Sequence, residues 1–379
     1  MHKMKSPPEY QLILLCARLQ TSNAIKQEIR ELLNNAIDWN KVIEISIHQE
    51  VITFLYYNLR QLNTQYIIPK NIFEIMNNYY YLNLKRNLII EKEIFRLLEI
   101  TNREGINTIP LKGFALIQNL YQDIGIRIMA DVDILVNELE LKRLKEVFSR
   151  LGYNTSFKQE YAKYKEVKLF YEIPPSNLYL IIELHTFFAT ARPYVINPPL
   201  LWERTQEKVI HNQKIKLLSN EDTFLLLALH LRRHTRRLTL KFTVDIAELL
   251  NMTGNTLDWS YIINISKTCH IMTTVYFACY IIAELHNVSV PSKIFDEFQP
   301  NIIKNSFVRI VINKSNFFTL NKLQGTLLRF LLFDNLNDLI LYVWGVSFLE
   351  RFTNKLCFRK AKANVTAAIP TSTEEKIKK

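Results

Sequence analysis

Glycine is scarce in this chain, at 7 residues in 379. So few, set beside abundant Leu, Ile, Asn and Lys, lean the expectation toward helices. The four cysteines, Cys16, Cys269, Cys279 and Cys357, lie far apart and form no CxxC pair. That excludes a cysteine zinc site and a disulfide framework, and fits reduced thiols in a cytoplasm. Long apolar runs are missing too. The longest near the C-terminus, Leu339 to Leu349, is bounded by Asp338 and Glu350 and falls short of the roughly 20 residues a bilayer span needs. A buried helix is expected there, and no membrane span. The opening stretch, MHKMKSPPEYQLILLCARLQ, has too short an apolar run and no small-residue cleavage site, so no signal peptide is expected.

What is present is 48% apolar content, enough to fill the cores of roughly two or three packed units. The formal net charge is +12 and the pI near 9.3. That balance favours anionic partners such as nucleotides, nucleic acid or acidic lipids, without choosing among them.

Residues 1–95 keep apolar positions at three- and four-residue spacing and are expected to be helical. Over 96–215 the pattern changes. INTIPLKG predicts a strand ending at Lys112-Gly113, FALIQNLY a short helix, and MADVDILV (Met129–Val136) a second strand. An amphipathic helix follows and closes at Gly152. EVKLFYEI and YLIIELHTFF predict two more strands, separated by the turn residues PPSN. Such interleaving describes an α+β fold with a small mixed β-sheet core flanked by N- and C-terminal helical regions. Helices return over 216–357, opened by Ser219 as a cap with Asp222 three residues on. Residues 358–379 are expected to be a mobile basic tail. DWNKVIEISIHQEVITFLYY from Asp38 echoes DWSYIINISKTCHIMTTVYF from Asp258. Either two similar helical pairs flank the sheet, or two ordinary helices are each opened by an Asp cap.

The chemistry concentrates in RIMADVDILV. Asp131 and Asp133 alternate with valine, so on a strand their carboxylates share one face. Like charges that close resist ionisation unless a cation sits between them. Either the face is open to water or a metal ion belongs there. Lys112-Gly113 lies at a strand-to-helix junction, where backbone N–H groups can hold a phosphate. Arg127, in the loop entering the aspartate strand, can pair with a phosphate oxygen. Glu183 supplies a third carboxylate if its strand pairs beside the aspartates, with Ile181 and His185 on its own face. His185 either orients that carboxylate or is a satisfied histidine beside the sheet.

His230 and His234 share a helix face, but the acidic residue of HExxH and a third ligand are absent, which argues against zinc. Arg232, Arg233, Arg236 and Arg237 form either a solvated basic face or a contact for an anion. Asp245 is expected to be a buried partner of one of those arginines.

With these motifs in order, LKGFALIQNLYQDIGIRIMADVDILV, then IIELHTFF, then EDTFLLLALHLRRH…LKFTVDIAELL…LDW, residues 105–290 resemble the uncharacterised nucleotidyltransferase family of the polymerase-beta-like superfamily. The resemblance implies transfer of a nucleoside monophosphate from a metal-bound NTP to a hydroxyl-bearing acceptor, a peptide or small molecule, with pyrophosphate release. By position, Asp131 and Asp133 match the paired metal carboxylates, Glu183 the third carboxylate, and Gly113 the glycine of the phosphate-binding turn. The implied cofactor is Mg²⁺ or Mn²⁺. Two such ions about 4 Å apart clamp the attacking and leaving oxygens of an in-line displacement. Two departures stand out. Lys112-Gly113 replaces the commoner Gly-Ser, so no serine hydroxyl meets the phosphates, and the third carboxylate is Glu rather than Asp. The missing serine leaves room for a decayed, nucleotide-binding scaffold. An RNA- or tRNA-directed transferase toxin is a further alternative, suited by the net charge and RRHTRR but lacking a recognised RNA-binding module.

Overall fold

A computed structural model describes residues 6–62, 67–155, 166–186, 198–313 and 316–343. The expected basic tail, 358–379, and residues 344–349 of the expected buried C-terminal helix lie outside these; 336–343 are helical but not buried, Leu341 being 57% exposed. Contacts divide the chain into a large unit, Met1–Thr190 with Tyr194–Asp334, and a small one, Ala191–Pro193 with Asn335–Lys379. No helix among the described residues is long and apolar enough to cross a membrane.

The large unit opens with α1 (Pro8–Cys16), α2 (Asn23–Leu33), α3 (Trp39–His48), α4 (Ile52–Gln61) and α5 (Lys70–Arg103). At 34 residues, α5 is about 50 Å long. The central part follows as β1 (Thr108–Leu111), α6 (Lys112–Asn119), β2 (Val132–Val136), α7 (Leu141–Arg150), β3 (Asn154–Thr155), β4 (Glu166–Ile173), β5 (Leu178–His185) and α8 (Pro198–Glu203), then β6 (Gln206–Ile210) and β7 (Gln213–Leu217). Helices resume with α9 (Asn220–Arg233), α10 (Leu240–Thr253), α11 (Trp259–Thr268), α12 (Met272–His286), α13 (Ser292–Phe298), α14 (Ile302–Val311) and α15 (Lys322–Leu331). Ser219 caps α9 as expected, its Oγ accepting from the Asp222 N–H at 3.1 Å.

The sheet runs β1-β2-β5-β4-β3. β2 and β5 are parallel and the other pairs antiparallel, so the fold is α+β with a small mixed sheet. Period-two alternation gives the sheet two different faces. Val132, Ile134 and Val136 of β2 and Leu180, Ile182 and Leu184 of β5 join Ile90, Ile94 and Leu97 of α5 and Leu144 and Phe148 of α7 in one apolar cluster. The intervening Asp133, Glu183 and His185 therefore stand on the opposite face.

The β6–β7 hairpin has no counterpart in the sequence-based expectation. Its turn places His211 (φ 48°) and Asn212 (φ 60°) in the left-handed region, the geometry of a type I′ turn. A His-Asn pair carries less of a turn signal than Asn-Gly, which is why the hairpin went unseen.

The internal echo is structural. Asp38 and Asp258 each cap a helix, accepting from the N–H of Lys41 at 3.1 Å and of Tyr261 at 3.0 Å. Both helices end in a left-handed residue, Glu50 (φ 58°) and His270 (φ 53°). Both closing turns carry the same bond, Val51 N–H to Ser46 O and Ile271 N–H to Ser266 O, each 2.9 Å. α3–α4 and α11–α12 are thus the same helical hairpin used twice.

Candidate active site

Four segments converge on the polar face of the sheet. Parallel pairing sets Asp133 of β2 directly beside Glu183 of β5, and antiparallel pairing sets Lys168 of β4 beside Glu183 on the other side. α6 starts at Lys112, immediately after β1, whose Leu111 pairs with Asp133. The chain therefore turns into a helix beside the aspartate, and Leu111 at its N-cap makes no side-chain cap bond to the first N–H groups.

Asp133 is nearly fully buried, at 4% exposure. Its Oδ1 accepts from Lys112 Nζ at 2.6 Å and from His185 Nε2 at 2.7 Å. Burial opposes its charge, but the Lys112 ammonium and the His185 hydrogen bond outweigh burial and hold the carboxyl far below its usual range. Glu183 is bonded by Lys168 Nζ, and its Oε2 lies 3.9 Å from His185 Nε2. Asp131 sits just before β2 and is less enclosed. Burial first, then the charges of Asp133 and Glu183, push its pKa up. The two aspartates are thus driven apart in acidity, as neighbouring carboxylates of one site commonly are.

Ligand atoms of Asp133, Glu183 and His185 all lie within 4.8 Å of one another, and all three residues are buried. Two carboxylate oxygens and an imidazole nitrogen this close offer a divalent cation up to three ligand atoms, the carboxylates being the hard oxygen donors. Asp131 stands outside that group of three.

The loop that delivers Asp131 is pinned by one stripe of α5. Tyr80 Oη donates to Asp123 Oδ2 at 2.6 Å. Asn83 Nδ2 reaches the carbonyls of Gly125 and Arg127 at 2.8 and 3.1 Å. Asn87 Nδ2 reaches those of Ile124 and Arg127 at 2.7 and 2.9 Å. Arg86 holds the carbonyls of Met129 and Ala130. Spacings of three, four and seven put these side chains on one helix face. NNYYYLNLKRN is visible in the sequence, but nothing there reports that its asparagines hold carbonyls some 40 positions away.

Arg127 lies in the loop entering β2, as expected, and its guanidinium is engaged by a carboxylate. Its Nε and Nη2 grip Asp245 Oδ1 and Oδ2 at 2.8 and 2.7 Å, and Tyr121 Oη donates to Oδ1 at 2.7 Å. Burial works against the guanidinium charge, yet Asp245 keeps its pKa raised. Asp245 is therefore the partner of Arg127 rather than of the RRHTRR arginines. Gly113 owes its identity to the same loop. A Cβ there would lie 2.8 Å from Arg127 Nη1 and 3.1 Å from Met129 Cγ. Lys112, not Gly113, carries the left-handed backbone, at φ 46°.

His230 of α9 and His234, the residue that closes it, hold their rings tilted at 50° with centroids 4.4 Å apart, and Phe242 lies against both. His230 Nδ1 is buried without a hydrogen-bond partner. Burial, then the charge of Lys112, holds His230 neutral. Burial, then Arg233 and Lys112, pulls His234 down to about 3.

The model of the uncharacterised nucleotidyltransferase family matches residues 35–287 of the chain. No curated protein matches it. Among solved structures it is similar to the lincosamide antibiotic adenylyltransferase LnuA in its lincomycin-bound crystal structure, at 18% identity, covering 43% of this chain and 98% of that one, with a TM-score of 0.32.

Proposed function

We propose that this chain, which belongs to the uncharacterised nucleotidyltransferase family, transfers a nucleoside monophosphate from an NTP to a hydroxyl-bearing acceptor, a peptide or small molecule, and releases pyrophosphate. The observation that carries the reading is the parallel register that sets Asp133 beside Glu183, with Lys112 at the start of α6 in contact with Asp133 at 2.6 Å.

Asp133 and Glu183, with Asp131 at their edge, would hold a divalent cation, and His185 fixes the Asp133 carboxylate from one side. When bound, such a cation neutralises charge on the triphosphate and stabilises displacement at phosphorus. The chain's own groups supply the rest. The N–H groups at the start of α6, which no side chain of the N-cap residue covers, would be donors for phosphate oxygens, reinforced by the helix dipole. Gly113, lacking a Cβ, lets the 124–129 loop close against α6. Asp131 is half-buried, and burial and then two other acids push its pKa up; a cation there would favour its charged form. Glu183 would draw the proton from the acceptor hydroxyl.

One observation favours a second reading, a nucleotide-binding scaffold without turnover. Lys112 and Lys168 already pair with Asp133 and Glu183. Thermal unfolding with ATP, GTP, CTP and UTP, each with Mg²⁺ or with EDTA, tests the proposal. A transferase site gives a Mg²⁺-dependent shift with at least one NTP that is lost in Asp131→Asn/Asp133→Asn. No shift with any NTP would refute it, and an EDTA-insensitive shift would favour the scaffold.

A further inference from the structure

The site that takes a divalent cation in the proposed reaction is already furnished with two of its own. Lys112 Nζ lies 2.6 Å from Asp133 Oδ1, with both side chains nearly inaccessible, at 9% and 6% exposure. The same oxygen takes the His185 hydrogen bond at 2.7 Å, so both of its lone pairs are committed. Lys168 does the same for Glu183 from the neighbouring strand. Asp133 and Glu183 are also two of the three residues whose ligand atoms close to within 4.8 Å.

The backbone adds a second, independent sign. Lys112 occupies a left-handed conformation, at φ 46°, which glycine takes freely and an L-residue takes only at a cost. Strain of that kind persists where the surroundings over-determine it. Lys112 is also the first residue of α6. Its ammonium is therefore tethered within one side chain's length of both Asp133 and the N–H groups proposed to meet the triphosphate.

We propose that Lys112 is a resident counter-ion which occupies the cation position on Asp133 in the empty site and, when a divalent ion enters, transfers its ammonium to the NTP phosphates. This rests on the transferase reading above. An ammonium and a divalent ion on one buried carboxylate repel strongly in a low-dielectric site, and a triphosphate at the start of α6 is the nearest new anion. The exchange keeps the buried charge balanced at each stage. Before metal arrives, Lys112 neutralises Asp133; afterwards the metal does, and Lys112 neutralises phosphate. The competing explanation is a permanent ion pair that fastens α6 to β2.

The test follows Lys112 in the full-length wild-type chain. Brief acetylation, quantified by peptide mass spectrometry, reads its accessibility against Lys70, whose side chain is 92% exposed. Three states are compared: EDTA, Mn²⁺, and Mn²⁺ with ATP. In parallel, Mn²⁺ binding is measured by electron paramagnetic resonance in wild type and Lys112→Met. The proposal expects several-fold faster labelling of Lys112 with Mn²⁺, protection restored by ATP, and roughly tenfold tighter Mn²⁺ binding in Lys112→Met once its competitor is gone. Mn²⁺ binding with Lys112 labelling unchanged overturns the exchange and leaves the metal site standing. Labelling that rises with Mn²⁺ but ignores ATP overturns the transfer to phosphate. Absence of Mn²⁺ binding in both proteins overturns this proposal together with the metal-dependent reading beneath it.

Discussion

Asp133 and Glu183 stand opposite one another across the parallel pair β2–β5, and His185, two residues beyond Glu183, reaches back to donate to Asp133. Three residues on two strands thus form one buried polar cluster whose geometry is set by register. A one-residue slip of either strand would send its polar groups into the apolar layer under α5 and α7.

Replacing His185 therefore tests whether the cluster is more than packing. His185→Phe removes the donor that fixes Asp133 while keeping an aromatic ring. A roughly 10- to 100-fold weakening of Mn²⁺ binding is expected, the usual effect of losing a residue that orients a metal ligand. Calorimetric titration would measure it.

Arg127 and Asp245 form a buried bidentate pair, so breaking one side should cost more than removing both. Asp245→Leu leaves an uncompensated guanidinium and is expected to lose about 3–5 kcal/mol of stability. Arg127→Met/Asp245→Leu should recover much of that loss in urea denaturation.

Asn83 and Asn87 hold the backbone that leads into Asp131. Asn87→Leu strands the carbonyl of Ile124, leaves that of Arg127 to Asn83 alone, and is expected to cost about 1–3 kcal/mol. Because the loop delivers Asp131, the same variant should also weaken the Mg²⁺-dependent NTP shift. An Asn102→Ala control alters only a weak exposed bond to the hairpin, at 3.3 Å, and should leave that shift unchanged.

His234 makes acid stability a test of the α9 face. Its pKa falls from 6.5 to about 3 on folding, through burial and then the charges of Arg233, Lys112, Arg329 and Lys241. A histidine depressed in this way binds its proton in the unfolded state first. Its stabilising contribution is full above pH 6.5 and is lost as pH falls toward about 3. Between those limits each such histidine steepens the loss by up to about 1.4 kcal/mol per pH unit. His230 is depressed in the same direction, by burial and then Lys112. His234→Gln should flatten the profile measured by denaturation between pH 4 and 6.5, and an unchanged slope would count against a neutral buried imidazole.

The sheet was legible because its strands alternate. Val132, Asp133, Ile134 and Leu135 announce a two-faced strand, and LYLIIELH announces its neighbour. Partnerships were less legible, because they depend on distance in space. Asp245 was visible as a buried acid, yet its partner proved to be Arg127, which lies 118 positions away. Lys112 was read for its backbone, whereas its side chain carries the ion pair. Asn83 and Asn87 sit in an aromatic-rich helix whose pattern advertises packing; their carbonyl contacts appear only when the 124–130 loop is folded over them.

The most direct measurement uses one NTP labelled either at the α- or at the γ-phosphate, incubated with Mg²⁺ and a fractionated extract of small molecules and peptides. Nucleotidyl transfer requires a new product that keeps the α-label, lacks the γ-label, and disappears with Asp133→Asn. A product carrying the γ-label, or an α-labelled product that survives Asp133→Asn, would contradict nucleotidyl transfer by this site.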